Sequence, residues 1–592
     1  MSKKIIVSSI VSIALCVLFS FFQISFSADI SLAAFPLSLI FSIVTALFTF
    51  FCLIKEVKIK YLPVIRKLNE YMPFVLLLAY VFKRAGENGT TFAYDCITVL
   101  LWVAASAAVI VHLIFLSEKR IYKDNESIAL ARKEFPLEKA KGPKRVIIEI
   151  LSWVDAFVQA AFTVALINIF IFQLYEIPSE SMVPEFFIKD RVIVMKTASG
   201  PKFPLSEVGL PSLRKYKRGD IVVFRNPHYQ NGRKEEVKNF VSQLVYMLTF
   251  TQVNLNVDEN GNLKADPLVK RITGVPGEQL MMQDGILYSR TKKSAEFTPV
   301  KEDSSWAEWN DAALPADVKS NIRDIPLSRK NYETMIEVEN LRNSLDMDKI
   351  AAECIATAKS FTKIRNRINP DLISSEIPEN LLTRNELNIP TLFTKAEAVT
   401  LKFMSTKGGA EWFTHFMTDW IDDYKNNEEK INENLYDRAM FRLNVMIKNC
   451  FGKLIVRNAE LNLSGTGTNE RNRDEIRTEI LTEAEKLYLY SALNNSRNMP
   501  VFPPNDAEGN PQYIPAGNYF MMGDNRFNSL DMRHSYTDRL IAVTAFDPLS
   551  VTYRSNVDPI YVSKSRILGT TALRFWPPSR FAVPGHTGTV VN

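Results

Sequence analysis

Metal-ligating and redox side chains are scarce in this chain, which has five cysteines and five histidines in 592 residues. No CxxC, no HExxH and no histidine–cysteine cluster at ligand spacing occurs, so nothing points to a zinc centre. Cys16, Cys52 and Cys96 lie in apolar runs. Cys354 and Cys450 lie in polar sequence, where an oxidising compartment would allow them to pair. The GxSxG elbow is missing and the histidines are scattered, which disfavours a Ser-His-Asp hydrolase. The net charge of +6 is modest, and no basic run is interleaved with aromatics, so no nucleic acid is expected as a partner. Asn256-x-Asp258-x-Asn260-Gly261 begins like a calcium loop, but Pro267 stands where the closing glutamate is needed, and a turn is the better reading. Gly465-Thr-Gly467 is an incomplete phosphate loop in a polar linker.

Long apolar runs are what the sequence does have, all in its first third. Residues 5–26, 33–54, 94–116 and 153–175 are each long enough to span a hydrocarbon core of roughly 30 Å. The first run could also be read as a cleaved secretory signal, with Ser25-Phe26-Ser27 as its small-x-small site, but its length and the further runs favour a retained helix. A shorter patch, residues 71–83, would alone be taken as interfacial. Charge parity makes it a crossing. Segment 55–70 carries Lys55, Lys58, Lys60, Arg66 and Lys67, and segment 117–147 carries nine further cations, which places both on the cytoplasmic side. Two same-side segments require an even number of crossings between them, so the span at 94–116 needs a partner. The expectation is five helices within residues 1–176 and everything after residue 176 outside.

Beyond the last run the pattern changes to short β-branched stretches bounded by turn signals. Arg191–Met195, Asp220–Phe224 and Leu268–Ile272 read as strands, and strand patterns resume at Asn518–Met522 and Ile567–Trp576. Val237–Phe250 is apolar at near-helical spacing and suits packing on the sheet or lying on a membrane. Residues from about 300 to 505 are charged, poor in glycine and helical in period. The fold class expected is a multi-span α-helical membrane region, 1–176, followed by a mainly β domain, 177–299 and 506–592, interrupted by a large α-helical insertion, 300–505.

Directly after the last span comes Ile177-Pro178-Ser179-Glu180-Ser181-Met182-Val183-Pro184. A serine held just outside a membrane exit, with prolines limiting the backbone around it, suits a nucleophile for a membrane-tethered substrate. Four further blocks follow in order: Arg218-Gly219-Asp220-Ile221-Val222-Val223-Phe224, Lys270-Arg271-Ile272-Thr273-Gly274-Val275-Pro276-Gly277-Glu278, Gly523-Asp524-Asn525-Arg526, and Asn528-Ser529. In this set and order the chain resembles the type I signal peptidases, membrane-bound serine endopeptidases that use a Ser–Lys dyad. The resemblance covers residues 153–280 and 519–576 and leaves the first four spans and the helical insertion unexplained.

The resemblance implies Ser181 as nucleophile and Lys270 as general base, with Ser179 in the oxyanion hole. A serine hydroxyl needs an adjacent base, and a lysine can serve only when burial keeps it neutral. Lys270 follows Leu268 and Val269 in an apolar strand, and the family pattern places Met521 and Met522 against its stem. Ser529 matches the serine that orients the amine, and Asp531, Arg533 and Arg271 match a supporting salt-bridge group. Ile177, Pro178, Met182, Phe186 and Val269 match positions lining shallow substrate pockets for an Ala-x-Ala site. The resemblance implies signal peptides of preproteins as substrates, the bilayer and the export machinery as surroundings, and no metal or cofactor. Glu180 where glycine is usual, Glu185 where a small hydroxyl residue is usual, and Phe527 where aspartate is frequent depart from the pattern. Two other readings stand beside this one: a self-cleaving Ser–Lys protease, and an inactive membrane scaffold that recruits export partners through the helical insertion.

Overall fold

The computed structural model describes every residue except 1–2, 57, 87–88, 125–141, 230–231, 249–252, 254, 256–263, 370–372, 374–380 and 586–592. The calcium-like string at 256–261 lies outside the described residues.

Helices α1 (Lys3–Phe21), α2 (Ala34–Phe48), α3 (Leu62–Ala85), α4 (Phe92–Phe115) and α5 (Pro143–Phe170) make up the first part of the chain. Four stretches, Lys3–Phe21, Ile30–Lys55, Phe92–Phe115 and Arg145–Phe170, are long and apolar enough to cross a membrane. The 71–83 patch lies mostly in the second half of α3, a 24-residue helix with Arg66, Lys67 and Glu70 in its first half and Lys83 and Arg84 in its last turn. Helix α3 lies against α2 and α4, and α1 lies against α2 and α4. Small residues make the α2–α3 approach close. Ser38, Ser42, Thr45 and Thr49 form a buried stripe whose hydroxyls bond back to carbonyls one turn earlier, at 2.7–3.1 Å, and Ser42 Oγ also meets Met72 Sδ of α3 at 3.8 Å. At the far end of α3, buried Arg84 pairs with Asp95 of α4 at 2.7 Å.

The last helix departs from the expected 153–175. It begins at Pro143 and ends at Phe170, because Phe172–Glu176 forms strand β1, which pairs antiparallel with β2 (Arg191–Met195) from Phe172↔Met195 to Glu176↔Arg191. An apolar run alone does not distinguish a helix end from a following strand; a pairing partner does.

Strands β3 (Ile221–Phe224), β4 (Leu268–Gly274), β5 (Glu278–Gln283), β6 (Ile286–Thr291) and β7 (Ser294–Pro299) follow, with helix α6 (Arg233–Leu248) between β3 and β4. Helix α6 touches α3 and α5, and residues 249–250 at the end of the apolar 237–250 stretch lie outside the described residues. After the helical region come β8 (Met499–Phe502), β9 (Asn518–Met522), β10 (His534–Ala542), β11 (Thr552–Val557), β12 (Val562–Ser563) and β13 (Ile567–Trp576). The main sheet has seven strands in the order β1-β2-β13-β3-β4-β9-β12; β7-β6-β5-β8 form a second sheet and β10-β11 a hairpin. Sequence-distant halves are thus interleaved: β13 inserts between β2 and β3, and β9 pairs with β4. All four residues of β3 are buried, as expected of an unbroken Ile-Val-Val-Phe strand in mid-sheet.

Between β7 and β8 the chain is helical: α7 (Arg329–Asn343), α8 (Met347–Arg365), α9 (Ala396–Ser405), α10 (Gly409–Asn432), α11 (Leu435–Leu463) and α12 (Glu475–Arg497). Helix α11 runs through the middle, against α8, α9, α10 and α12, with Phe451, Leu454 and Ile455 in a core shared with Phe413, Phe416 and Trp420 of α10. Val543, Val551 and Tyr553, beside and within the β10-β11 hairpin, belong to the same core, and buried Lys448 of α11 pairs with Asp547 at 2.5 Å. Cys354 and Cys450 are buried and unpaired with each other; their thiols face Asn449 Oδ1 and the Ile480 carbonyl.

Candidate active site

Beyond Glu176 the chain turns through residues 177–190, closed at its base by Ile177 N to Asp190 O (2.8 Å) and Lys189 N to Ile177 O (2.9 Å). Ser181 lies in this turn. Lys270 lies in β4 opposite Val222 of β3, with its side chain buried. Its Nζ donates to Ser181 Oγ at 2.5 Å, and Ser179 Oγ lies 3.3 Å from the same oxygen. Burial pushes the Lys270 amine down to about 8; the charge of Asp531 opposes this and that of Arg533 adds to it. Among the described residues no carboxylate lies within ion-pair distance of the amine. A hydroxyl and a readily neutralised amine in contact can exchange a proton, which is what activating a serine requires.

Strand alternation sorts the neighbours. Ile272↔Met521 and Arg271↔Met522 are direct pairs, so Met521 shares a face with Lys270 while Met522 lies on the opposite face with Arg271. The expectation that both methionines back the lysine is corrected accordingly. Arg271 also leaves the group in which it was placed. On its own face it forms a two-pronged pair with Asp524 (2.8 and 2.6 Å) and reaches Glu185 at 3.4 Å. Asp531 and Arg533 do form a buried pair, at 2.8 and 3.0 Å. Ser529, matched to the serine that orients the lysine amine, donates its own proton to Asp531 Oδ2 at 2.8 Å, the strongest acceptor within reach, and a hydroxyl that donates there keeps its lone pairs for accepting. Ser529 still lies beside the site: a side chain at Gly523 would overlap both Ser529 and the Ser181 carbonyl, and Asn525 N donates to that carbonyl at 3.2 Å.

Ile177, Met182 and Phe186 are buried in one apolar cluster with Val192, Val194, Ile221 and Val223, and Val269 packs against it. Pro178 is exposed beside it.

The three departures from the family pattern all make specific contacts that the sequence did not reveal. Glu180 is buried and accepts hydrogen bonds from Arg323 N, from Asp324 N at 3.2 Å and from Asn528 Nδ2 at 3.3 Å. Phe527 meets Trp309 edge to face at 5.2 Å. Glu185 joins Arg271. Two of the three therefore clasp residues just beyond β7, binding that segment to the turn that carries Ser181. The same segment supplies Asp303 to buried Arg526 at 2.6 Å and Asp311 to Asn525 at 2.8 Å. Burial pushes the Asp311 carboxyl up to about 6; Asn525 opposes this, and Glu308 and Glu180 add to it. Acidic residues scattered between 300 and 325 were the available signal, but nothing in the sequence specified their partners.

The family model for "Signal peptidase, peptidase S26" matches residues 150–346 and 452–576, more than half of the chain. Among curated relatives, Signal peptidase I of Buchnera aphidicola subsp. Baizongia pistaciae is 32% identical over 124 residues, 19% of this chain and 39% of that protein. Signal peptidase I of Buchnera aphidicola subsp. Acyrthosiphon pisum is 26% identical over 256 residues, 43% of this chain and 65% of that protein. Signal peptidase I P of Bacillus subtilis subsp. natto is 26% identical over 203 residues, 34% of this chain and 80% of that protein. The chain thus covers less than two thirds of the length of both Buchnera relatives. No solved structure matches significantly. The matched stretches contain the turn after β1 and strands β3, β4, β9 and β13 that meet there, and the chain belongs to the signal peptidase family, peptidase S26.

Proposed function

We propose that this protein is a membrane-bound signal peptidase that cleaves preproteins after an Ala-x-Ala-like site, with Ser181 as nucleophile and Lys270 as its general base. The observation that carries the reading is the 2.5 Å contact between Lys270 Nζ and Ser181 Oγ, made by a buried amine held down to about 8. The neutral amine takes the hydroxyl proton as Oγ attacks the scissile carbonyl, and the ammonium so formed protonates the leaving amine. Ser179 Oγ, with the Ser181 amide, stabilises the oxyanion of the tetrahedral intermediate. Asp531, Arg533 and Ser529 hold the strand end beside the pair, and Arg271 braces the reverse face. The cluster around Ile177, Met182, Phe186 and Val269, with Pro178 at its edge, supplies a shallow apolar floor for small substrate side chains.

The catalytic β-domain in this reading comprises residues 177–299 and 506–592, and residues 300–505 are a helical insertion that positions preproteins or export partners. Its clasp on Glu180 supports that role. Five crossings, with α3 among them, leave the catalytic domain on the extracytoplasmic side of the cytoplasmic membrane. Reporter fusions at Gly86 and Gly142 are then expected outside and inside respectively; the reverse pattern would overturn the topology.

The function is tested by incubating the detergent-purified full chain with a preprotein carrying an Ala-x-Ala site and sequencing the mature N-terminus. Cleavage directly after the second alanine is expected, and an intact preprotein would sink the reading. Ser179→Ala is expected to lower kcat by about 10²-fold with little change in KM, since the hydroxyl serves the transition state; a change confined to KM would assign it to substrate binding.

A further inference from the structure

The loop after β2 returns against the apolar helices. Phe203 sets its ring among Tyr80, Trp102 and Phe170, with centroids 5.8, 5.6 and 4.9 Å away, and Ser206 Oγ donates to Asp95 Oδ2 at 2.7 Å. Between this loop, the turn from α3 to α4, the end of α5, α6 and the start of β13 lies a cavity of about 630 Å³. Ser179, Ser181 and Lys270 do not line it.

Its lining combines apolar rings with an excess of cations. Phe92, Phe203 and Phe240 contribute the rings; Arg84, Lys196, Lys202, Arg225 and Arg566 face it against Asp95, Glu207 and Glu236. Arg84 is engaged with Asp95 at 2.7 Å, Lys202 with Glu207, and Arg225 with Glu236 at 3.4 Å. Lys196 and Arg566 pair with no carboxylate among the described residues: Lys196 donates to Asn168 O at 2.8 Å and Gln173 Oε1 at 3.1 Å, and Arg566 to Asn226 O at 3.4 Å. Asp266, close enough to both Arg225 and Arg566 to interact, accepts from Asn226 N and does not line the cavity. Burial, and then the charge of Arg225, pushes the Lys196 amine down to about 8, so these cations are gathered at some expense. Cations around a rim of aromatic rings, at the level where apolar helices end, match a ligand that is anionic at one end and apolar at the other.

We propose that this cavity binds a phosphate ester at the membrane surface, the headgroup of an anionic phospholipid, with Lys196, Arg225 and Arg566 on the phosphate and the rings against the first methylenes. The proposal rests on the membrane-bound reading above, and its test reads lipid retention instead of cleavage, so the two can fail separately. Native mass spectrometry of the full chain with added phosphatidylglycerol should show retained lipid. The double variant Lys196→Gln/Arg566→Gln should weaken retention by at least about tenfold, the equivalent of one charge-assisted hydrogen bond, with preprotein cleavage unchanged. Arg566→Gln alone, which removes a long bond to Asn226 and one of the two cations near Asp266, keeps the test usable if the double variant does not fold. Retention unchanged in these variants, or phosphatidylcholine held equally well, would overturn the proposal. Millimolar inorganic phosphate is expected to leave the lipid in place; displacement of the lipid by phosphate would assign the site to the free anion and overturn the headgroup assignment.

Discussion

Replacing either Ser181 or Lys270 by alanine is expected to lower preprotein cleavage by about 10⁴-fold or more, because two groups that act as one unit lose nearly everything when either is removed. Wild-type cleavage should rise about tenfold between pH 7 and 9, as an amine titrating at about 8 goes from about one-tenth to nine-tenths neutral. Lys270→Arg, which restores the positive charge without a usable base, should be as inactive as Lys270→Ala. The same burial has a stability consequence of defined sign. The folded amine has a pKa below its unfolded value of about 10.4, so burying it disfavours the fold fully below about 8, and stability recovers as pH rises through that window. Lys270→Met is therefore expected to be inactive yet more resistant to denaturant at pH 7. Retention of a tenth of the wild-type rate in Lys270→Ala, or a flat pH profile from 7 to 9, would show that another group is the base.

Asp531→Ala should destabilise the protein by about 3–5 kcal/mol, since it leaves the Arg533 guanidinium buried without its counter-charge. It also removes the acceptor for Gly523 N and for Ser529 Oγ. Burial alone would raise the Asp531 carboxyl, but the charge and hydrogen bonds of Arg533 hold it well below the usual carboxylate range. Its stabilising contribution is therefore complete above the unfolded value of about 3.9 and lost as pH falls through the folded value. The gap between wild type and Asp531→Ala in denaturant midpoint should be full at pH 7 and shrink in strong acid. Asp531→Asn separates structure from electrostatics. The Asp531 charge favours the protonated form of Lys270, so removing it should move the midpoint of the pH–cleavage profile below 8 even as stability falls. A profile that stays in place while stability falls would leave Asp531 with a structural role alone. Asp531→Leu/Arg533→Leu should regain part of the lost stability, because no unpaired charge then remains.

The parts visible in the sequence were those carried by short windows. Arg191–Met195, Asn518–Met522 and Ile567–Trp576 are strands with the bounds their β-branched runs indicated, and four of the five apolar runs fall on helices suited to a bilayer. Ser181 and Lys270, 89 positions apart, are in contact, as the ordered motif blocks implied. Less visible was where α5 stops, because residues 171–176 are apolar enough for either a helix or a strand, and only pairing with β2 decides. The partner of Arg271 was also hidden. Asp524 is 253 positions away and reaches it because β4 and β9 are neighbours in the sheet, whose alternation sends Lys270 and Arg271 to opposite faces.

The sequence by itself determined the apolar helices and the strand segments, because apolar period acts within a few residues, and its ordered motif blocks implied that Ser181 and Lys270 meet. Tertiary structure alone decided which charges pair, that Ser529 turns to Asp531, and that Glu180 is clasped by the backbone at Arg323 and Asp324. A buried charge is satisfied by whichever complementary group the fold brings within about 3 Å, and that choice is written in strand order and register instead of in any local stretch of sequence.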